Sequence, residues 1–165
     1  MANIRVEQVK REWAEALAEG DTVFTERFGI PVEPGWSAFP EAIDIILKTG
    51  RGEVPPAWGA HLYFDADGTL VGNGGWKGPP ANGAAEIGYA VAPKRQGRGI
   101  ATAAVRIFIE QAKAAGLEMV VAHTLPHESP STSVLKRCGF SRVGDAVDPD
   151  EGVVWRWELP LTHVR

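Results

Sequence analysis

The chain has 165 residues, of which 44% are hydrophobic and 23% charged, and a net charge of −4. This length suits one domain with its own core, and the acidic balance argues against a nucleic-acid partner. A single cysteine excludes an internal disulfide and a multi-cysteine metal site, so no metal is expected. The sequence shows neither an apolar leader nor a run approaching ~18 apolar residues, so we expect a cytoplasmic protein without a membrane partner.

Two helices and a hairpin are predicted in the first half of the chain. Residues 5–19 carry apolar side chains at helical spacing up to Gly20, namely Val6, Val9, Trp13, Ala16 and Leu17. Ser37 is a candidate N-cap for a second helix that ends near Gly50 and has an apolar face of Phe39, Ile43, Ile46 and Leu47. Apolar runs at 60–64 and 70–76 flank Asp67-Gly68, which predicts a β-hairpin.

The second half predicts strands alternating with two helices. A strand over 85–92 is followed by a helix from about Arg98 to Ala115, and then by a strand over 118–122. Ser129 is a candidate N-cap for a helix that ends at Gly139. Strands near 140–144 and 152–159 complete a mixed α/β order, and the last is apolar enough to be either a central strand or part of a dimer's shared sheet.

The turn between the 85–92 strand and the following helix has the features of an anion site. The first N–H groups of a helix have no intrahelical partner, and together with the helix dipole they attract phosphate. Gly97 and Gly99 permit close backbone approach, while Lys94, Arg95 and Arg98 add positive charge. The sequence therefore predicts a ligand that carries a pyrophosphate.

Three glycine-rich patterns compete for this turn. A Walker A motif would need Gly-Lys-Ser/Thr, which is absent. The dinucleotide pattern G-x-G-x-x-G/A is half met by 97–102, with Glu118 near the position of an acidic ribose partner, but residues 93–96 separate the strand from the first glycine. The third pattern, Gln/Arg-x-x-Gly-x-Gly/Ala, is met by Gln96-Gly97-Arg98-Gly99-Ile100-Ala101 and resembles the acetyl-CoA motif of the GNAT superfamily of N-acyltransferases.

A second motif strengthens this resemblance. Residues 122–140 are similar to the family's Pro-Glu-Asn-x-x-Ser-x-x-Val-Leu-x-x-x-Gly-Phe segment, and the two motifs together span about half of the chain. The Ala-His-Thr-Leu-Pro run and the Trp-Arg-Trp-Glu-Leu ending resemble the ribosomal-protein N-terminal acetyltransferase-like branch. The resemblance implies a single acyl-CoA N-acyltransferase domain over 1–165. It also implies a three-layer α/β fold whose mixed, mostly antiparallel sheet contains a splayed parallel strand pair.

Acetyl-CoA is the implied co-substrate, and one group of residues is expected to bind it. The turn would bind pyrophosphate through its backbone, and the strand would pair with the pantetheine arm. The expected binding residues are Tyr89, Val91, Gln96, Gly97, Arg98, Gly99, Ile100, Ala101, Thr102, Ser129 and Ser131. Glu128 stands where the family has Asn, and an ionised Glu cannot donate to a pantetheine carbonyl, so Ser129 or Ser131 must supply that donor.

The sequence gives weaker evidence for the catalytic residues than for the residues expected to bind acetyl-CoA. Glu86 is the first candidate for the general base, although a purely structural role for its carboxylate is an equally good interpretation. His123 is the second candidate. The tyrosine that some family members use as the acid toward the thiolate is replaced by Leu135, so Ser131 is a candidate donor to the sulfur. His61 and His127 are weaker candidates still.

The function expected from these residues is acetyl transfer to a primary amine, either a protein N-terminus or a small molecule, by direct attack in a ternary complex. Trp36 and Trp76 are candidate walls of the acceptor cleft, although each aromatic residue by itself is more typical of core. A homodimer is possible. Two other hypotheses stay open at this point, namely a non-catalytic acyl-CoA sensor and a nucleotide-dependent oxidoreductase.

Overall fold

The computed structural model describes residues 3–38 and 41–161. Seven strands form one sheet in the order β1-β2-β3-β4-β5-β7-β6. Their bounds are Arg5–Gln8 (β1), Ala60–Phe64 (β2), Leu70–Trp76 (β3), Ala84–Val91 (β4), Met119–Thr124 (β5), Ser141–Asp148 (β6) and Gly152–Pro160 (β7). The α-helices in the described part are Arg11–Glu19 (α1), Asp21–Phe28 (α2), Glu41–Gly50 (α3), Ile100–Ala114 (α4) and Pro130–Arg137 (α5).

The sheet splits at one place, between its two parallel strands. β4 and β5 are paired only from Ala84 opposite Met119 to Ile87 opposite Ala122. β4 then continues to Val91 alongside β3, whereas β5 stays paired with β7 as far as Thr124. The other strand pairs are antiparallel. The expected mixed sheet with a splayed parallel pair is therefore present.

Helices cover both faces of this sheet. Side chains alternate between faces along a strand, and β2 divides accordingly, with Leu62 and Phe64 in a core beside α1 and α2 and Tyr63 in a core beside α4 and α5. The first core contains Trp13, Leu17 and Phe24, and the second contains Phe108 and Leu135. This arrangement confirms the three-layer expectation.

The prediction for the N-terminal region was wrong in part. Arg5–Gln8 form an edge strand along β2, with Val6 opposite Tyr63, and the helix begins only at Arg11. The edge of β2 supplies hydrogen-bond partners that helical spacing alone cannot reveal, so pairing overrides propensity there. A second helix, α2, follows α1 directly, because Gly20 separates the two with a φ of 143°.

Two further expectations are corrected by the structure. Ser37 lies in a turn and does not cap α3, which begins at Glu41, and Phe39 lies outside the described residues. The strand carrying 155–159 is bonded to β5 on one side and to β6 on the other. Because both of its edges are used, β7 cannot extend a sheet into a second subunit, and β6 forms the free edge at that end.

Candidate active site

The turn before α4 presents a row of unpaired backbone donors. Gly97 and Gly99 have φ angles of 77° and 80°, values that favour glycine. The six N–H groups from Gly97 to Thr102 have no acceptor among the described residues. The side chain of Gln96 braces the turn by donating to the carbonyl of Val91 at 3.1 Å. The geometry therefore fits an anion bound by several backbone donors at a helix N-terminus.

Arg95 anchors this turn and is not free for phosphate. Its guanidinium lies 2.7 Å from a carboxylate oxygen of Glu33 and 2.9 Å from one of Asp65, with Asp67 at 3.4 Å. These hydrogen bonds raise the pKa of the Arg95 side chain, those from Glu33 and Asp65 outweighing the loss of solvation. The expectation that Arg95 adds free positive charge is therefore corrected, since its charge joins the turn to the β2–β3 hairpin.

A cleft of about 820 Å³ runs along the open side of the splay. Nine of the residues expected to bind acetyl-CoA line it, namely Tyr89, Val91, Gln96, Gly97, Gly99, Ile100, Ala101, Thr102 and Ser131. Tyr89 and Ala90 both line the cleft although their side chains point to opposite faces of the sheet. Ala38 joins them from the loop before α3, so the cleft has access to both faces of the split sheet.

The backbone of β4 faces this cleft with unused hydrogen-bonding groups. The bonds from Ala92 N–H to Val71 and from Lys77 N–H to Glu86 show that the even-numbered residues of β4 point their backbone groups at β3. Tyr89 and Val91 therefore turn theirs into the splay. The carbonyl of Val91 is used by Gln96, which leaves the N–H of Val91 and both groups of Tyr89 toward the cleft. This edge fits an extended amide-containing ligand arm.

The start of α5 forms the opposite wall of the cleft. Ser129 caps the helix, because its hydroxyl accepts from the N–H of Thr132 while the Thr132 hydroxyl accepts from the N–H of Ser129. Ser129 is thus confirmed as an N-cap, and its side chain serves the helix instead of the cleft. Glu128 is bound to Thr132 and Lys136. Ser131 lines the cleft, and its carbonyl accepts from the Tyr89 hydroxyl at 3.0 Å.

The two candidate bases contact each other at the mouth of the splay. His123 is the first residue of β5 beyond the parallel pairing, which ends at Ala122. Its Nδ1 lies 2.9 Å from Oε2 of Glu86. Both side chains point to the face opposite α4 and α5, since their neighbours Ile87 and Ala122 belong to the core beside those helices. The sequence predicted both residues as candidate bases, and the fold brings them into contact although 37 positions separate them in the chain.

Lys77 is a third member of this cluster. Its Nζ lies 2.8 Å from Oε2 of Glu86, and its chain crosses Gly88, where an added Cβ would lie 3.3 Å from Cε. Burial raises the pKa of Glu86, but hydrogen bonds from Lys77 and His123 outweigh it, so the net shift is downward. Glu86 is therefore held ionised. Lys77 was missed as a candidate site residue in the sequence. Trp76 of β3 pairs with Ile87 of β4, so the next residue, Lys77, comes opposite Glu86, and an alignment of these two strands could have indicated it.

Asp148, at the end of β6, brings a further carboxylate near this cluster. Backbone N–H groups of Glu151 and Asp150 lower its pKa most, and attraction to Lys77 and His123 lowers it further. The only sequence signal for this residue is the acidic character of the β6–β7 loop. The hairpin thus adds negative charge near Lys77 and His123.

The remaining candidates lie elsewhere. Trp36 is 1% exposed and Trp76 is 3% exposed, so both rings are core and the expectation that they wall an acceptor cleft is corrected. The ring N–H of Trp36 donates to Asp21, and that of Trp76 donates to Gln111. His61 is buried against Phe108. His127 is exposed and turned to its neighbour's carbonyl, so neither histidine joins the cluster.

No described helix has the length and apolar character needed to cross a membrane. Within the described ranges, no group of three or more potential ligands is arranged for a metal ion. Arg98, expected at the pyrophosphate, is exposed and lines a second cleft that shares Gly99, Thr102 and Arg137 with the first.

Comparison with known proteins identifies the class. Residues 4–141 match the acetyltransferase (GNAT) domain family, whereas no curated protein matches the chain. The structure is similar to ribosomal-protein-S5-alanine acetyltransferase from Vibrio fischeri, at 20% identity and a TM-score of 0.69 over 97% of this chain and 94% of that one. It is also similar to Mycobacterium smegmatis RimJ in complex with CoA-disulfide (21%, TM-score 0.65, 95% and 81% covered).

A third similar structure is a spermidine N-acetyltransferase SpeG chimera from Vibrio cholerae and hSSAT, at 16% identity and a TM-score of 0.70 over 95% of each chain. At these identities the three structures share the fold. The chain belongs to the GNAT acetyltransferase family. It is an acetyl-CoA-dependent N-acetyltransferase.

Proposed function

We propose that residues 1–165 form one catalytic domain that acetylates a primary amine by direct attack on acetyl-CoA in a ternary complex. In this proposal His123 accepts the proton of the amine and Glu86 holds the imidazole in place. The observation that carries it is the 2.9 Å contact between the two side chains at the mouth of the splay that also forms the donor cleft. A cytoplasmic location belongs to the same proposal.

The donor would lie along β4 with its pyrophosphate at the unpaired N–H groups of the turn. Several N–H donors at a helix N-terminus suit a diphosphate, and the backbone of Tyr89 and Val91 suits the amides of the pantetheine arm. An arm that runs from the turn along β4 points toward Glu86. From Gly88 to Glu86 the remaining distance is about 7 Å, at roughly 3.3 Å per strand residue.

The dyad fits the proton transfer that the reaction requires. An amine arrives as an ammonium ion and attacks only after it loses one proton. An Nδ1–H that donates to the ionised Glu86 leaves Nε2 of His123 with a lone pair for that proton. The amine nitrogen then forms a bond to the thioester carbon, and the carbon–sulfur bond breaks. The amine nitrogen then releases its second proton, which the departing thiolate sulfur takes up, so the products are an amide and the free thiol of CoA.

Ser131 is the proposed donor to the departing sulfur. It lines the cleft, and its hydroxyl has no hydrogen-bond partner among the described residues. Leu135, which occupies the place of the family's tyrosine, is fully buried and cannot serve. Burial and nearby Cys138 raise the pKa of Tyr89, so that hydroxyl stays protonated and keeps its bond to the Ser131 carbonyl. A positioned hydroxyl stabilises developing negative charge on a leaving group.

The acceptor is proposed to be the α-amine of a protein N-terminus or a small amine. An α-amine has a pKa of roughly 8 and a lysine amine roughly 10.4, so the former needs less help from a base. The structurally similar proteins include an alanine acetyltransferase for ribosomal protein S5 and a spermidine N-acetyltransferase. Asp148 and Glu86 offer negative charge to either acceptor.

A paired acceptor screen tests this proposal. Acetyl-CoA is supplied with a peptide that begins with alanine, the same peptide with a blocked N-terminus and one internal lysine, and spermidine. Acetylation is followed by thiol release and by mass spectrometry. Acetylated amine from the first or third acceptor supports the proposal. Thiol release without an acetylated amine in any arm would overturn the assignment to amine transfer.

A homodimer is a further part of the proposal. The support is the free edge of β6, where Val143 and Val147 are 53% and 82% exposed, with Val153 opposite Val147 at 51%. An exposed apolar strand edge favours pairing with another chain. Light scattering after size exclusion should give twice the chain mass for the wild type and a smaller mass for Val147→Lys. A wild-type chain that elutes as a monomer at high concentration would refute the dimer.

A further inference from the structure

A second cleft, of about 500 Å³, lies beside the anion turn and is strongly basic. Three arginines line it, namely Arg98, Arg106 and Arg137. No aspartate or glutamate lines it. In a chain with a net charge of −4, three guanidinium groups around one concave surface form a local site for an anion. We call this cleft the arginine basin.

The three guanidinium groups are not used by the fold. None of them forms an ion pair with a described carboxylate, and each side chain is exposed. The Cys138 thiol lies beside Arg106, whereas Arg95, in the same region, is bound by three carboxylates. Arginine forms paired, charge-assisted hydrogen bonds with phosphate oxygens. The basin therefore offers donors that nothing else in the described part of the chain accepts.

A buried hydroxyl points to the same place. Thr102 is 7% exposed and its Oγ1 has no hydrogen-bond partner among the described residues. A buried polar atom without a partner is costly, which indicates a missing ligand or water. Thr102 lines both the basin and the donor cleft, together with Gly99 and Arg137. The two clefts therefore adjoin at the first turn of α4.

The spacing along α4 fits two separate phosphates. Gly99, Thr102, Ala103, Arg106 and Ile107 follow one another at helical spacing, so they form one stripe along the helix. Arg106 is one turn beyond Thr102, or about 6 Å at 1.5 Å per residue. In CoA one ribose ring separates the 5′-pyrophosphate from the 3′-phosphate. A ligand held by the turn would thus carry its second anionic group toward the basin.

We propose that the arginine basin binds the 3′-phosphate monoester of CoA and makes the protein select CoA over its 3′-dephosphorylated form. The proposal rests on the proposed binding of the pyrophosphate at the turn, and it adds Arg106 and Arg137 as specificity residues. Each charge-assisted pair at an exposed or half-exposed site contributes on the scale of about tenfold in affinity. Two or three such pairs predict a preference for CoA of roughly 100-fold or more.

Calorimetric titration with CoA and with 3′-dephospho-CoA tests this proposal. The proteins are the wild type, Arg106→Gln, Arg137→Gln and Arg51→Gln, the last being an exposed arginine outside both clefts. We expect Arg106→Gln to bind CoA about tenfold more weakly and to bind dephospho-CoA as the wild type does. Arg137 also lines the donor cleft, so Arg137→Gln should lose more affinity for CoA than for dephospho-CoA. Arg51→Gln removes the same charge and should keep the wild-type preference. Inorganic phosphate, added to the complex with CoA, is the probe for a separate anion.

The possible results distinguish a failure of the 3′-phosphate assignment from a failure of the proposed donor site. Equal affinities of the wild type for the two ligands, or an equal loss for both ligands in the basin variants, would overturn the 3′-phosphate assignment while donor binding stands. Inorganic phosphate that binds tightly to the complex with intact CoA, and no longer binds in Arg106→Gln, would assign the basin to an independent anion and would also overturn the 3′-phosphate assignment. If neither CoA form binds the wild type, the proposed donor site itself fails.

Discussion

Replacement of Glu86 by glutamine tests the proposed dyad most directly. One oxygen of Glu86 accepts from Lys77 at 2.8 Å and from His123 at 2.9 Å. Glutamine keeps the size of the side chain but removes the charge. A hydrogen bond to a charged group contributes about 1.5–3 kcal/mol, and each 1.36 kcal/mol is a factor of ten in rate. If the contact to His123 positions the base, Glu86→Gln should lower kcat by roughly 10- to 150-fold.

The acetyl-CoA dependence distinguishes a catalytic defect from a binding defect. Glu86 does not line the donor cleft and points to the face opposite α4 and α5. The KM for acetyl-CoA and the Kd for CoA should therefore stay within about twofold of wild type. Initial rates are measured by thiol release with the acceptor that the screen identifies. A matched control is Glu110→Gln, an exposed residue paired with Lys113 on α4, which should leave kcat unchanged.

A double-mutant cycle with His123→Gln then asks whether the two residues act as one unit. If His123 is the base and Glu86 only orients it, the double variant should be no slower than His123→Gln alone. A general base contributes about 10²- to 10⁴-fold, so His123→Gln should be the more severe single change. Wild-type kcat in Glu86→Gln, or losses that multiply in the double variant, would refute the dyad.

Three predictions concern stability. Gly97→Ala should lower the free energy of unfolding by about 1 kcal/mol in urea titration, because an added Cβ meets open space but φ is 77°; an unchanged value would contradict the strain argument. Arg95→Met should lower the free energy of unfolding by about 2 kcal/mol, because Glu33 and Asp65 would keep uncompensated, mostly buried charges. A loss below about 0.5 kcal/mol would show that these ion pairs do not stabilise the fold. Burial lowers the pKa of His61, and the hydrogen bond to Gly59 opposes this shift. Below about pH 6.5 the unfolded chain therefore binds more protons than the folded chain, and the free energy of unfolding falls as the pH falls, by at most about 1.4 kcal/mol per pH unit. Melting curves between pH 7.5 and 5 should show a weaker dependence for His61→Gln, and an identical slope would exclude this residue as the cause.

Local signals in the sequence were sufficient for the elements around the donor cleft. Asp67-Gly68 predicted the β2–β3 hairpin, and Gly116 marked the end of the α4 region. Ser129 predicted the N-cap of α5. These features depend on backbone angles and on hydrogen bonds within a few residues, which a short stretch of sequence specifies. The glycine-rich turn is of the same kind, and its unpaired N–H groups follow from the helix start alone.

Other features depend on partners that are distant in the sequence. The strand Arg5–Gln8 exists because the edge of β2 is available, and helical spacing misled the prediction there. Trp36 and Trp76 are core because both faces of the sheet are covered. The sequence could not decide whether Arg95 faces a ligand or the carboxylates of a hairpin 30 residues away.

Residue types and short-range spacing were enough to predict the chemistry proposed for this protein, namely a turn suited to a pyrophosphate, a strand edge suited to an extended arm, and two candidate bases. Those follow from residue type and short-range geometry. The hydrogen bond between Glu86 and His123, and the contact of Lys77 with the same carboxylate, depend on the packing of strands that are distant in the sequence. The reason is that β4 and β5 are parallel neighbours joined by a long helix, so their register sets which side chains meet at the mouth of the splay.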